Sequence, residues 1–401
     1  MIVPYWGEFL VNPAPLELSL GTCTHGCSYC FANLNAPKRH VDYKALMRLL
    51  AEYRERETYV AYLLQQGYPT VVSNRTDPFC QANAEQSLAV LGVMTELGLP
   101  VMVQTKGGEA AMEAAKMLPP SIWYVTVETL DDTIRAQVAP GAPSIPTRLQ
   151  LIYELADRGH RVIAGVNPCV PEWIADPGQI MSTLRACGAY AAWIERLHLY
   201  YAQTRKMKPW ARDALGEYTI ARAQQRQCDV LEFGFIMHAR EAAQEAGLEV
   251  FSVGQPTKSG FDKPFQDLYP RTFPTAQGWI NLCYELGWTD RLISYSDFAD
   301  YFVPRLPEGR WPIDSYLGSV AHNLWRTHKV PPQLTFRELL GIMWVEPRTR
   351  NCPARVPCFA YAGRKEGEGW AQYVDEQEMP YLVFSPDGFD TLYAEVELGV
   401  R

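Results

Sequence analysis

Between residues 16 and 255, short β-rich apolar runs alternate with stretches whose apolar positions recur every three to four residues. The runs are LELSL (16–20), TVVSN (70–74), VMVQT (101–105), WYVTVE (123–128), RVIAGV (161–166) and RLHLYY (196–201), with LEVFSV (248–253) as a weaker seventh. Helical periodicity covers 43–66, 84–98, 108–118, 147–159, about 177–189 and about 215–246. Strands alternating with helices build parallel βαβ units. Six such units are two short of a closed eightfold barrel, so the predicted fold is α/β, a partial (β/α)6 TIM-like barrel. In such folds the chemistry sits in the loops beyond the C-terminal ends of the strands. Those loops here are the cysteine-rich stretch after residue 20, NRTDPFC (74–80), TKGGE (105–109), ETLDD (128–132) and NPCVPEW (167–173).

The last third reads differently. FPTAQGWINLCYELGW (273–288) and TFRELLGIMWV (335–345) have helical spacing, and MPYLVFSPDGFDTLYAEVEL (379–398) has the pattern of a hairpin turning at SPDG. The predicted division is a barrel over 1–258 and a mixed α+β extension over 259–401 that covers the substrate side.

Composition narrows the class. The 401 residues are 47% hydrophobic and 20% charged, as in an ordinary globular protein. No run of eighteen apolar residues occurs, and the N-terminal stretch MIVPYWGEFLVNPAP has no basic segment leading a long apolar one. The expected location is therefore the cytoplasm, away from membranes, where the ten cysteines stay reduced. A net charge of −8 excludes a chain coated in positive charge but leaves room for a local basic groove.

The stretch GTCTHGCSYCFANLN (21–35) holds Cys23, Cys27 and Cys30 with no fourth ligand beside them. A structural zinc site takes four ligands, so that reading needs His25 or a distant cysteine to complete it. A cubane iron–sulfur cluster has four irons, each normally held by one thiolate, and three cysteines leave one iron open. The Cys-x3-Cys-x2-Cys spacing after the first strand, with Tyr29 before the last cysteine, resembles the signature of the radical S-adenosylmethionine (SAM) superfamily. That resemblance implies a [4Fe–4S] cluster whose open iron chelates SAM, and reductive cleavage of SAM to a 5′-deoxyadenosyl radical that takes a hydrogen atom from substrate. It also implies an electron donor of flavodoxin or ferredoxin type.

Further segments are similar to spore photoproduct lyase and its relatives. These are THGCSYCFANLN, TDPF (76–79), VQTKG (103–107) and APSIPTRLQLIYELADRG, which looks like the relatives' proline-led Arg-Leu helix, with Arg148-Leu149 as that pair. The likeness spans roughly residues 16 to 210. Carried over, it implies that Cys23, Cys27 and Cys30 hold the cluster, that Tyr29 lies against SAM, and that Lys106 pairs with the SAM carboxylate. Asn74 and Thr126, at strand ends, would add polar contacts. One departure matters. The lyases carry a hydrogen-donating cysteine just before their Ser/Thr-Asp segment, where this chain has Asn74. An asparagine N–H bond is too strong for that role, so Cys80 and Cys169 become the candidate donors, against the plain alternative that both are small buried residues. His25 either hydrogen-bonds the cluster or fills its own loop, and Asp77 is expected to bond within its own turn.

Two stretches pair basic with aromatic residues, a combination suited to phosphates and stacked bases. The first holds Arg205, Lys206, Lys208, Trp210 and Arg212, and the second Trp344, Arg348, Arg350 and Arg355. Arg205, Lys208 and Trp210 are the candidate substrate contacts, against a reading as ordinary solvated surface. Cys352 and Cys358 lack two further ligands nearby and are not expected to form a second metal site. The leading expectation is thus lyase, isomerase or repair chemistry on a nucleobase or nucleic acid. Radical modification of a peptide or small metabolite is the second reading, and a non-catalytic metal protein that binds nucleic acid is the third.

Overall fold

The computed structural model describes residues 2–4, 13–18, 20–30, 41–72, 76–199, 201–225, 230–251, 262–289, 291–312, 332–346, 352–356, 358–366 and 369–385. Within these, 355, 364–366 and 369–371 are described by backbone alone. Contacts divide the chain into two units. The first takes Met1–Ile2, Glu17–Glu55 and Pro69–Ser252; the second takes Val3–Leu16, Arg56–Tyr68 and Val253–Arg401.

The main sheet runs β1 (Ile2–Pro4), β2 (Leu16–Leu18), β3 (Thr70–Val72), β4 (Val101–Thr105), β5 (Ile122–Thr126), β6 (Arg161–Val166), β7 (Ala191–Ile194) and β8 (Glu249–Phe251), in that spatial order. Every ladder from β3 to β8 is parallel. Helices Ala84–Glu96, Glu109–Met117, Ile145–Asp157, Pro177–Ala186 and Val230–Glu245 lie in the crossovers that this direction demands. The sheet is open, with sequence order kept across it, which is the partial barrel that the alternation predicted.

One strand moves. RLHLYY has the alternation of a strand, yet the ladder is formed by AAWI, five residues earlier. A central parallel strand is covered on both faces and reads as a continuous apolar run, and all four residues of β7 are buried. Leu197 and Leu199 instead enter an apolar cluster with Trp173, Met207 and Leu215, which accounts for the misleading pattern. The weak seventh run is β8, so six βα units end on an additional strand.

Side chains alternate across the sheet. Val103, Trp123 and Val125 point to one face and are at most 2% exposed. Gln104, Tyr124 and Thr126 point to the other and are only half-buried. Gly165 pairs with Thr126, and a Cβ there would collide with the Tyr124 ring, so glycine is what lets that ring cross the sheet.

The second unit is built from helices Tyr59–Gln65, Lys263–Leu268, Ala276–Glu285, Tyr295–Phe302 and Phe336–Val345 with short antiparallel pairs. The two helices expected at 273–288 and 335–345 are present. In the expected hairpin, Leu382–Phe384 pairs with Phe359–Tyr361, and residues 386–401 lie outside the described residues. The core of this unit is aromatic, with Trp279, Phe298, Phe302 and Trp344 all at most 1% exposed. Trp344 is therefore a core residue whose indole donates to Pro380 O at 2.6 Å, not an exposed stacking platform. Arg348 and Arg350 lie outside the described residues. Among the described residues no helix is long and apolar enough to cross a membrane.

A buried carboxylate makes this unit sensitive to pH. Asp262 receives the Thr275 hydroxyl at 2.6 Å and the Tyr301 hydroxyl at 3.3 Å, and Gly278 leaves the space its carboxylate fills. Burial outweighs these hydrogen bonds and the nearby Arg305, raising its pKa from 3.8 to about 6. The folded chain then holds a proton that the unfolded chain has released, so stability falls as pH rises from 3.8 through about 6. The expected loss is about 3 kcal/mol. Urea unfolding across that interval should show the slope in the parent and a flatter profile in Asp262→Asn; parallel profiles would refute the assignment.

Candidate active site

The cysteine loop leaves the C-terminal end of β2, and Cys23, Cys27 and Cys30 are all half-buried in it. The Cys30 amide donates to Cys27 O at 3.2 Å and the Ser28 amide to Val138 O at 2.7 Å, which pins the turn to the C-terminal end of helix Asp132–Val138, beyond β5. The His25 amide points at Cys23 Sγ, 3.5 Å away. Burial pushes the Cys27 thiol up to about 12, with Lys106 opposing the shift. Cys80, 1% exposed, lies directly beside Cys23, the first of the three, and its Sγ donates to Thr22 O at 3.9 Å.

His25 holds the loop in place. Its Nδ1 donates to Gly141 O at 2.9 Å while Gly141 N returns a bond to His25 O at 2.8 Å. A Cβ at Gly141 would stand 2.5 Å from Thr24 O, so only glycine permits this approach. His25 Nε2 faces Asp77 Oδ2 at 3.1 Å. Burial disfavours the imidazolium, but the Asp77 carboxylate outweighs it and raises the pKa above 6.5. Nδ1 is thus bonded to Gly141, and Nε2 is turned toward the Asp77 carboxylate. Among the described residues no three His, Cys, Asp or Glu side chains converge as for a single metal ion.

Asp77 does more than the expected turn bond. It accepts from Phe79 N at 2.9 Å within its own turn, and also from Thr105 Oγ1 at 2.9 Å and Lys106 N at 2.5 Å beyond β4. One carboxylate therefore ties together the loops after β2, β3 and β4.

Behind the cysteines lies a buried charge cluster that the sequence only half disclosed. Lys106 Nζ donates to Tyr29 Oη at 2.7 Å and to both oxygens of Glu128 at 3.2 Å. Tyr29 Oη donates to Glu128 Oε1 at 2.8 Å, and Arg148 Nη1 donates to Glu128 Oε2 at 2.6 Å. Glu128 and Arg148 are both 0% exposed. Burial alone would push Glu128 up; Lys106 and Arg148 reverse that and hold its pKa at about 2. Arg148 also donates to Pro143 O at 3.0 Å and Thr126 O at 3.1 Å, while its Nη2 is buried with no partner. Tyr29 further packs on Trp173, with ring centroids 5.4 Å apart.

The structure thus brings Cys27, Tyr29 and Lys106 together, and sets Thr126 half-buried at the end of β5, its carbonyl on Arg148. Asn74 lies outside the described residues. Cys169 is 0% exposed beyond β6. Burial, with the Glu232 and Glu195 carboxylates, raises it to about 12, so it stays a thiol. Arg205, Lys208 and Trp210 are exposed on the helical segments after β7.

Comparison with known proteins follows this geometry. A profile described as the Radical SAM superfamily matches residues 19–179. No curated protein sequence matches the chain. Similar solved structures include a spore photoproduct lyase mutant with bound AdoMet and dinucleoside spore photoproduct, at 12% identity and TM-score 0.45, covering 62% of this chain and 80% of that one. Another is methylornithine synthase (PylB), at 12% identity and TM-score 0.34, covering 62% and 72%. A third is SuiB of Streptococcus suis, at 12% identity and TM-score 0.40, covering 66% and 52%. Residues 19–179 thus match the radical SAM superfamily, whose members use a [4Fe–4S] cluster and S-adenosylmethionine.

Proposed function

We propose that the chain is an enzyme of spore photoproduct lyase-like type that cleaves SAM reductively and abstracts hydrogen from a nucleobase-containing substrate. The observation that carries this reading is the joining of the three-cysteine loop to the Tyr29–Lys106–Glu128–Arg148 cluster at the C-terminal ends of β2, β4 and β5. The residues present suit the two cofactors. Three half-buried thiols with an amide aimed at one of them suit an iron–sulfur cluster, which favours N–H donors at its sulfurs. A buried guanidinium nitrogen without a partner, beside a lysine, suits a carboxylate.

Cys23, Cys27 and Cys30 would hold the cluster, with Tyr29, Lys106, Thr126 and Asn74 around SAM. When bound, cluster and SAM together supply a 5′-deoxyadenosyl radical able to take hydrogen from carbon. The chain's own part is to orient and to seal. Glu128 fixes both the Lys106 ammonium and the Tyr29 hydroxyl, and Trp173 closes over the Tyr29 ring. Arg205, Lys208 and Trp210 would meet substrate, and Cys80 or Cys169 would return hydrogen to a product radical. Cys80 has the stronger claim because it lies at the cysteine loop. A flavodoxin- or ferredoxin-type donor would deliver the electron, in a reducing compartment such as the cytoplasm.

Anaerobic reconstitution with iron and sulfide tests the core of this reading. The expected product is a brown protein with about four irons per chain that releases 5′-deoxyadenosine when given SAM and dithionite. Zinc in place of iron, or no SAM cleavage by loaded protein, would overturn it.

A further inference from the structure

Beyond the C-terminal end of β7 the chain folds into three short helices, Tyr201–Thr204, Pro209–Leu215 and Glu217–Gln224. Their inward residues Met207, Ala211, Leu215, Ile220 and Ala223 belong to one apolar cluster, against which Cys27 and Tyr29 pack. This layer is therefore the immediate neighbour of the cysteine loop.

Its outward face is aromatic and basic. Tyr201 is 70% exposed, Tyr218 63% and Trp210 43%, which is unusual for rings with no burial to justify them. Segment 201–224 carries Arg205, Lys206, Lys208, Arg212 and Arg222 against only Asp213 and Glu217, in a chain whose net charge is −8. Among these, Arg212 and Arg222 are tied to Glu217 and Glu172, each at 2.6 Å. Arg205 lies over the Tyr201 ring at 5.9 Å and, among the described residues, has no carboxylate partner. Beside it opens a cavity of about 270 Å³ lined by Tyr201, Thr204, Arg205, Arg212, Glu217 and Gln224. Gln224 Nε2 donates to Thr204 Oγ1 at 2.6 Å, and Arg212 Nη1 to Thr204 O at 3.3 Å, so the walls are fixed. Ordinary small-molecule sites enclose roughly 300–1,000 Å³. This one suits a phosphate or ribose of a longer chain better than a whole substrate.

We propose that this layer seats a single strand of nucleic acid, with a backbone phosphate at Arg205 and unpaired bases stacked on Tyr201 and Tyr218. The proposal rests on the nucleobase reading above and extends it from a base to a strand. Exposed rings bind an unpaired base through its open π-face, which a duplex keeps stacked inside. Free guanidinium and ammonium groups between such rings follow the backbone.

Fluorescence anisotropy on the cluster-loaded chain, with a labelled twelve-nucleotide oligothymidine and a duplex of equal length, tests it. The single strand should bind at least about tenfold more tightly than the duplex. Arg205→Ala/Lys208→Ala should weaken binding about tenfold in low salt and flatten the plot of log affinity against log salt by about 1.4. Tyr201→Ala should weaken binding about fivefold or more with the salt slope intact. Circular dichroism melts confirm that these exposed substitutions leave the fold in place. Absent strand binding, equal binding of duplex, or parent-like binding by the variants would overturn the proposal. SAM cleavage by the parent without oligonucleotide separates the two readings. If it proceeds while strand binding fails, only this inference falls; if loaded parent cleaves no SAM, the function itself falls.

Discussion

Glu128→Ala should lower the stability of the chain by about 3 kcal/mol or more, because it strands two cations in a site that excludes water. Glu128 neutralises Lys106 and Arg148 at once, and both it and Arg148 are 0% exposed. Arg148 keeps its bonds to Pro143 O and Thr126 O, and Lys106 keeps Tyr29, which holds the loss to the lower end of the range for a broken buried pair. For a unit of this size the melting temperature should fall by about 6–12 °C. Glu128→Gln preserves shape, so its stability cost should be smaller. It frees Lys106 from its anchor, so SAM binding measured by equilibrium dialysis should weaken about tenfold. The pH dependence has a defined sign. The Glu128 pKa is held at about 2 against an ordinary 4.5, so the pair's contribution is complete above 4.5 and is lost as pH falls toward 2. A Glu128→Ala melt within 1 °C of the parent, an interval below about 0.5 kcal/mol, would show that the cluster holds nothing together.

Replacing any one of Cys23, Cys27 or Cys30 by alanine should reduce SAM cleavage to the rate without enzyme, with bound iron largely lost. The cofactors carry the whole chemical step, so no side chain compensates for a missing cluster ligand. Cys80→Ala and Cys169→Ala should retain their iron and differ from each other in the fate of the substrate radical. Cys80 adjoins Cys23, whereas Cys169 is a raised-pKa thiol beside Glu195 and Glu232. Iron analysis and product chromatography on the five variants decide the matter. Iron loss in Cys80→Ala equal to that in Cys27→Ala would make Cys80 a ligand and refute the three-cysteine assignment.

The three-cysteine loop and Lys106 were legible as candidates because each is a reactive residue type at a fixed offset from a strand end, and the structure sets Cys27, Tyr29 and Lys106 together. Arg148 was legible in principle. It sits between Ile145 and Leu151 on the buried stripe of its helix, and a cation in such a stripe demands a partner. Glu128, directly after β5, is the matching anion, but nothing in the local pattern links residues twenty apart in sequence. The bond between His25 and Asp77 was hidden for the same reason: each had a sufficient local role within its own loop. β7 was misplaced because AAWI has no alternation and opens on two alanines, which are poor β-formers, and only burial on both faces makes it a strand.

Asp77 has a consequence for how this scaffold can vary. With one carboxylate fastening three consecutive loops, any change in one of them is felt by the other two. That side of the barrel behaves as a fixed jaw, suited to chemistry that must stay constant. Adaptation to a new substrate is left to the short helices beyond β7, whose outer faces take no part in that fastening.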